Sequence, residues 1–265
     1  MNIYIVTHKD ACNWQDQSYK AIQVGHALSD YDIDGVKIFD DTGDNISAKN
    51  KSYCELTGLY WIWKNDTSLD NNIVGIVHYR RYFGYKKKMS PKEIQKRLLT
   101  NDIILSKNVH LPGSVKYDYC MFHYAKDFEV LRQVLSERAP DYIKDFDYFF
   151  KGHYIRPYNM MICKKSLLNE YCAWLFDILF EVENRIDISH YDSKQRRIFG
   201  YLAERLLNVW VIHNKLAISS ANVHFTEFNL INWIKGRIYY LARYCFHIDI
   251  YVYQVKRKLC FYHNQ

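Results

Sequence analysis

The chain has 265 residues, of which 49% are apolar and 17% aromatic, which supports a large buried core and excludes intrinsic disorder. Its formal net charge of +7 favours an anionic partner. Lys and Arg cluster only at Lys86-Lys87-Lys88 and Lys256-Arg257-Lys258, and no nucleic-acid module signature is present, so nucleic acid is not the expected partner.

Ile3 to Val6 is a short apolar run ending at Thr7-His8-Lys9, the pattern of a buried first strand with a polar loop beyond it. It starts without a secretory leader. Gly35 to Phe39 reads as a second strand and runs into Asp40-Asp41-Thr42-Gly43-Asp44-Asn45. From Lys51 to Lys64 the spacing of Leu56, Leu59, Tyr60 and Trp63 is helical. Ile73 to Val77 is a third apolar strand that ends abruptly in His78-Tyr79-Arg80-Arg81. Ser90-Pro91-Lys92-Glu93 has the chemistry of a helix start, with Ser90 as cap, Pro91 at the first position and Glu93 placed to close a capping box.

Ile103 to Leu105 follows as a strand, Phe128 to Ser136 as a helix, and Asn159 to Cys163 as another buried strand. Ser166 to Ile186 is an amphipathic helix with a stripe of Leu168, Tyr171, Leu175, Ile178, Leu179 and Val182. Arg197 to Val211 is a further helix. This alternation predicts an α/β fold, a sheet covered by helices on both sides, in one domain over residues 1–220. Residues 221–265 form a separate basic aromatic tail. Seven scattered cysteines with no CxxC pair argue against disulfides or a zinc site and for a reducing cytosol. No run of 18 to 20 uncharged apolar residues occurs to span a bilayer.

Ligands of open α/β sheets bind beyond the C-terminal strand ends, where the polar clusters fall. His78, Arg80 and Arg81 suit an anion, above all a diphosphate that guanidiniums grip with paired hydrogen bonds; the alternative is a surface salt-bridge cluster. Asp40, Asp41 and Asp44 have the spacing of a hard-cation site for Mg²⁺ or Mn²⁺, and equally of an ordinary Asp-Thr-Gly-Asp turn. Arg197, Tyr201, Glu204 and Asn208 share one helix face, where Glu204 is either a general base or half of a structural ion pair. The tail from Ile231 to Phe261 interleaves aromatics with Lys and Arg around a single carboxylate, Asp249. Such a segment either lies in the headgroups of an anionic membrane or packs as a terminal helix.

Several blocks resemble one bacterial family, the capsular- and exopolysaccharide proteins of domain of unknown function 4422. They are IYIVTHKD at 3–10, DDTGDNISAKNKSYCELTGLYWIWKN at 40–65, VGIVHYRRYF at 74–83, NDIILSK at 101–107, NMMICKK at 159–165, EYCAWLF at 170–176 and RRIFGYLAERLLNVW at 196–210. The resemblance implies a GT-A-like glycosyltransferase domain that inverts the anomeric carbon. It implies UDP-galactofuranose as donor and a lipid-linked glycan of capsule, O-antigen or exopolysaccharide as acceptor. A peripheral enzyme at the cytoplasmic face of the membrane is the expected setting, and oligomerisation stays open.

By the same resemblance, Thr7, His8, Lys9 and Asn45 line the nucleotide pocket, and His78, Tyr79, Arg80 and Arg81 hold the diphosphate. Asn159 falls at the sugar pocket, with Glu204 as first and Asp118 as second candidate base. The family fold usually carries Asp-x-Asp and a divalent metal where this chain has His78-Tyr79-Arg80-Arg81, so the arginines are expected to replace the cation. Transfer of a pyranose sugar and a non-catalytic role as a glycan- or nucleotide-binding subunit remain the alternatives.

Overall fold

The computed structural model describes residues 1–10, 14–227, 231 and 234. Residues 1–226 form one compact unit, and residues 227–265 segregate into a second. Of the basic aromatic tail expected over residues 221–265, only residues 221–227, 231 and 234 are described.

The first unit opens with β1 (Asn2–Thr7), β2 (Tyr19–Gln23) and β3 (Ile38–Phe39), followed by α1 (Asn50–Tyr53), α2 (Leu56–Asn65) and β4 (Ile73–His78). β5 (Arg81–Phe83), α3 (Pro91–Arg97), β6 (Ile103–Ser106) and β7 (Val109–His110) come next. Then follow α4 (Val115–Phe122), α5 (Ala125–Arg138), α6 (Ile143–Lys151), β8 (Tyr154–Ile155) and β9 (Met161–Lys164). α7 (Lys165–Arg185), α8 (Ile198–His213), β10 (Ile218–Ala221) and β11 (Val223–Phe225) complete it. Ala221 to Phe225 thus belongs to the sheet rather than to the tail, because β11 pairs with β5.

The main sheet runs β10-β6-β9-β4-β1-β2-β3, and β5 and β11 continue from the end of β4. β9 is antiparallel to both β4 and β6, while β1, β2, β3 and β4 are mutually parallel, as are β6 and β10. β2 lies to one side of β1 and β4 to the other, so the strand order reverses there. Such a reversal opens a crevice at the C-terminal strand ends. Val6 pairs with His78 across it.

Ile3, Ile5, Val74, Ile76 and Val77 are buried, as strands covered on both faces require. The α7 stripe of Leu168, Tyr171, Leu175, Ile178, Leu179 and Val182 is buried to the last residue. Ser90 caps α3 by accepting a 3.3 Å hydrogen bond from the Glu93 amide, but the Glu93 carboxylate accepts from Arg97 instead of closing the box.

Two expectations change. The helix over 51–64 is two helices, broken at Cys54, whose φ of 53° and ψ of −131° no helix tolerates. The strand over 35–39 shrinks to Ile38–Phe39, since Gly35 at φ 73° belongs to a turn closed by the Val36 amide on the Ile33 carbonyl. The strand beside β1 is Tyr19–Gln23.

Candidate active site

A cleft of about 790 Å³ opens at the crevice. Its floor is Val6 and His8 from the end of β1, Val24 after β2, and His78 at the end of β4. Gly58 lets α2 settle against this floor, because a Cβ there would stand 2.7 Å from Val24 Cγ1 and 2.9 Å from Val6 Cγ1.

One wall is cationic. His78 is buried, and burial, with Arg81 and Arg80 adding to it, lowers its pKa to about 3. It is therefore neutral. The Arg81 Nη1 contact to its Nδ1 is 3.4 Å, which makes Nδ1 the acceptor and leaves the proton on Nε2. That Nε2 is buried without a protein partner. The Tyr79 ring gathers charge: Lys9 Nζ lies 5.5 Å and Arg80 Cζ 4.9 Å from its centroid, with the His8 ring edge-on at 5.3 Å. Burial, then Arg80, Lys9 and Arg197, hold the His8 pKa below its usual value. Arg81 lies 4.6 Å over the Tyr158 ring, and Lys51, Arg196 and Arg197 add three more cations to the lining.

The same lining carries two carboxylates. The bend at Cys54 is held by Asn50, whose Nδ2 donates to the Cys54 carbonyl at 2.8 Å and to Thr57 Oγ1 at 2.9 Å. It sets Glu55 in the cleft lining ahead of α2. Asn159 Nδ2 donates to Glu55 Oε1 at 2.6 Å and to the Gly200 carbonyl at 3.0 Å. Glu204 comes from α8, one turn after Gly200 and Tyr201. Its Oε1 accepts the Tyr158 amide at 2.6 Å, and its Oε2 accepts Arg205 Nη1 at 2.7 Å. Tyr158 sits at φ 70°, a left-handed conformation that this hydrogen bond secures.

The structure thus brings His8, His78, Tyr79, Arg80, Arg81, Asn159 and Glu204 into one lining. Thr7 is buried beneath it, its hydroxyl donating to the Lys9 carbonyl. Asp118 stands outside the lining and accepts Arg205 Nη2 at 3.4 Å. Asn45 closes its own turn, donating to the Asp41 and Gly43 carbonyls, and does not line the cleft.

The three turn aspartates face different partners. Asp40 accepts from the Gly25 and His26 amides and the Ser47 hydroxyl. Asp41 pairs with His26 at 2.7 Å, and Asp44 accepts the Tyr60 hydroxyl at 3.1 Å. Among the described residues no group of three or more His, Cys, Asp or Glu converges on a metal position. Glu55, Lys51 and Arg196 are cleft residues that periodicity did not single out. Glu55 looked like one more residue of a continuous helix, and only the break at Cys54 turns it inward.

The family model for the domain of unknown function DUF4422 matches residues 2–215. This chain belongs to the DUF4422 family. A comparison with curated proteins finds no match. Among solved structures, the DUF4422 chain is similar to the apo structure of WbbM, a bifunctional glycosyltransferase, at 28% identity and a TM-score of 0.78 over 86% of this chain. The match spans 45% of the WbbM chain. The mixed α/β unit, a central sheet flanked by helices, therefore has a glycosyltransferase fold. Among the described residues no helix is long and apolar enough to cross a membrane.

Proposed function

We propose that this protein is an inverting glycosyltransferase that moves galactofuranose from UDP-galactofuranose to a lipid-linked glycan in capsule, O-antigen or exopolysaccharide synthesis. The observation that carries this reading is the cleft itself. Five cationic side chains, from Lys51, Arg80, Arg81, Arg196 and Arg197, line one cavity with Glu55 and Glu204, on a fold shared with a glycosyltransferase. A nucleoside diphosphate needs the cations, and an acceptor hydroxyl needs a carboxylate. The resemblance of the sequence blocks to galactofuranosyltransferases supports the choice of sugar.

In this reading the acceptor hydroxyl attacks the anomeric carbon from the face opposite UDP. The new C–O bond forms as the bond from that carbon to the β-phosphate oxygen breaks, and the electron pair leaves with UDP. Arg80, Arg81 and the Nε2–H of neutral His78 receive the charge that develops on the phosphate. The donor set at this strand end is guanidinium and imidazole, which does not suit a hard cation, and the nearby aspartates are engaged elsewhere. The arginines accordingly take the metal's place.

Glu204 takes the hydroxyl proton, since of Glu204 and Asp118, the two bases the resemblance implies, only Glu204 lines the cleft. Glu204→Gln keeps an oxygen for the Tyr158 amide and is expected to lower turnover by about 10²- to 10⁴-fold with UDP affinity intact. Turnover within tenfold of the parent removes Glu204 from this role.

The function is tested with synthetic lipid-linked galactosides and UDP-galactopyranose, with and without its mutase. Product only when the mutase generates UDP-galactofuranose supports the reading. Product without the mutase identifies a pyranosyltransferase, and no product while UDP binds leaves a different acceptor or a non-catalytic subunit. A lipid-linked acceptor places the reaction at an anionic membrane surface, which the basic tail complements.

A further inference from the structure

Asn159 presents an anomaly. It is 3% exposed, it belongs to the cleft lining, and its Oδ1 is buried with no hydrogen-bond partner. Reversing the amide does not remove the problem. Nδ2 faces two acceptors, Glu55 Oε1 at 2.6 Å and the Gly200 carbonyl at 3.0 Å, so the nitrogen must stay where it is. A buried acceptor without a donor costs the full desolvation of the group, and such exceptions in native structures need a cause.

Glu55 stands beside it. Its Oε1 is occupied by the Asn159 amide, and its side chain opens on the same cleft. An amide and a carboxylate joined by one hydrogen bond thus offer acceptors to the cavity side by side. The ligand that completes them must bring O–H or N–H donors and no added negative charge. A diphosphate cannot, since it offers only acceptors and is served by the cationic wall. A polyol can.

We propose that Glu55 joins Asn159, which the family resemblance already puts at the sugar pocket, in a hydroxyl-reading pair for the donor sugar, each accepting an O–H from the ring attached to the β-phosphate. This rests on the reading of the cleft as a nucleotide-sugar site. The donor, rather than the acceptor, is assigned because Asn159 directly follows Tyr158, whose ring carries the Arg81 guanidinium at 4.6 Å. The pair is therefore one residue removed from the diphosphate grip. Glu55 and Asn159 would discriminate sugars strongly, because a sugar lacking the matching hydroxyl leaves a buried acceptor unpaired.

The test compares the affinities of the full-length protein for UDP and for UDP-galactofuranose, by calorimetry. The wild type is expected to bind the nucleotide sugar more tightly than UDP. Asn159→Ala and Glu55→Ala are expected to weaken the nucleotide sugar by about 10- to 100-fold and to leave UDP within twofold. Glu55→Gln, isosteric and without the charge, guards against loss of fold and shows the same selective weakening. A donor analogue deoxygenated at the recognised hydroxyl loses the same factor on the wild type and nothing further on the variants. Equal weakening of UDP and UDP-sugar would overturn the proposal, as would unchanged sugar affinity with lost turnover, which is the signature of a proton-transfer role. A wild type that binds neither UDP nor any UDP-sugar contradicts the nucleotide-sugar reading itself, a result distinct from either.

Discussion

His78 shows how far burial alone sets the chemistry of one side chain. Enclosed at the end of β4 and facing Arg81 and Arg80, it stays neutral down to about pH 3, whereas in the unfolded chain it titrates near the ordinary histidine value of about 6.5. Between those values the unfolded state binds more protons than the folded one, so stability falls as pH drops through that window. His26 has the opposite sign. Burial opposes its charge, but Asp32 and Asp41 outweigh burial and raise its pKa, so its contribution is lost as pH rises through the raised value. Comparing wild type with His78→Asn isolates the first effect. The stability difference between them, from urea unfolding, is expected to be constant above about pH 7 and to shift against the wild type as pH falls toward 4. Parallel pH profiles would show that His78 is not buried as a neutral base.

At the scale of elements, the cleft depends on how closely α2 approaches the strand ends. Gly58 makes that approach, with Val24 Cγ1 and Val6 Cγ1 both inside 3.0 Å of where a Cβ would stand. In an exposed helix Gly→Ala would stabilise by about 1 kcal/mol. Here overpacking wins, and Gly58→Ala is expected to cost about 1–2 kcal/mol net and to weaken UDP binding, because Val6 and Val24 form the cleft floor. A raised melting temperature would contradict the packing.

The elements that could be read from sequence share a cause. β1, β4 and α7 are runs in which hydrophobic pattern and secondary-structure period agree, and Ser90-Pro91 marks a helix start by chemistry that acts locally. β2 could not be read, since YKAIQ carries Lys20 and a buried Gln23 whose amide is satisfied by the Ser29 hydroxyl, the Tyr31 carbonyl and the Ile33 amide, all beyond the strand. In the candidate site, the His78–Arg81 cluster stood out because charge follows a buried strand abruptly. Glu55 did not, because its position depends on a left-handed turn at Cys54 that no local propensity announces. Asn45 sits in a recognisable polar turn, yet hydrogen bonds within that turn consume its side chain.

For the molecule as a whole, the DUF4422 match spans residues 2–215, and the likeness to WbbM, a bifunctional glycosyltransferase, covers 86% of this chain and 45% of the WbbM chain. The sheet reverses strand order at β1 and β4, and the cleft at that reversal is lined by Arg80 and Arg81, by Glu55 just ahead of α2 and by Glu204 of α8. If the protein transfers galactofuranose as proposed, its guanidiniums must do what a divalent ion does on the usual form of this fold. The most direct test is the rate of transfer from mutase-generated UDP-galactofuranose in the presence of excess EDTA. The rate is expected to be unchanged from that with Mg²⁺ or Mn²⁺, and to be almost completely lost in Arg80→Ala/Arg81→Ala. Loss of transfer in EDTA, restored by adding either ion, would contradict this.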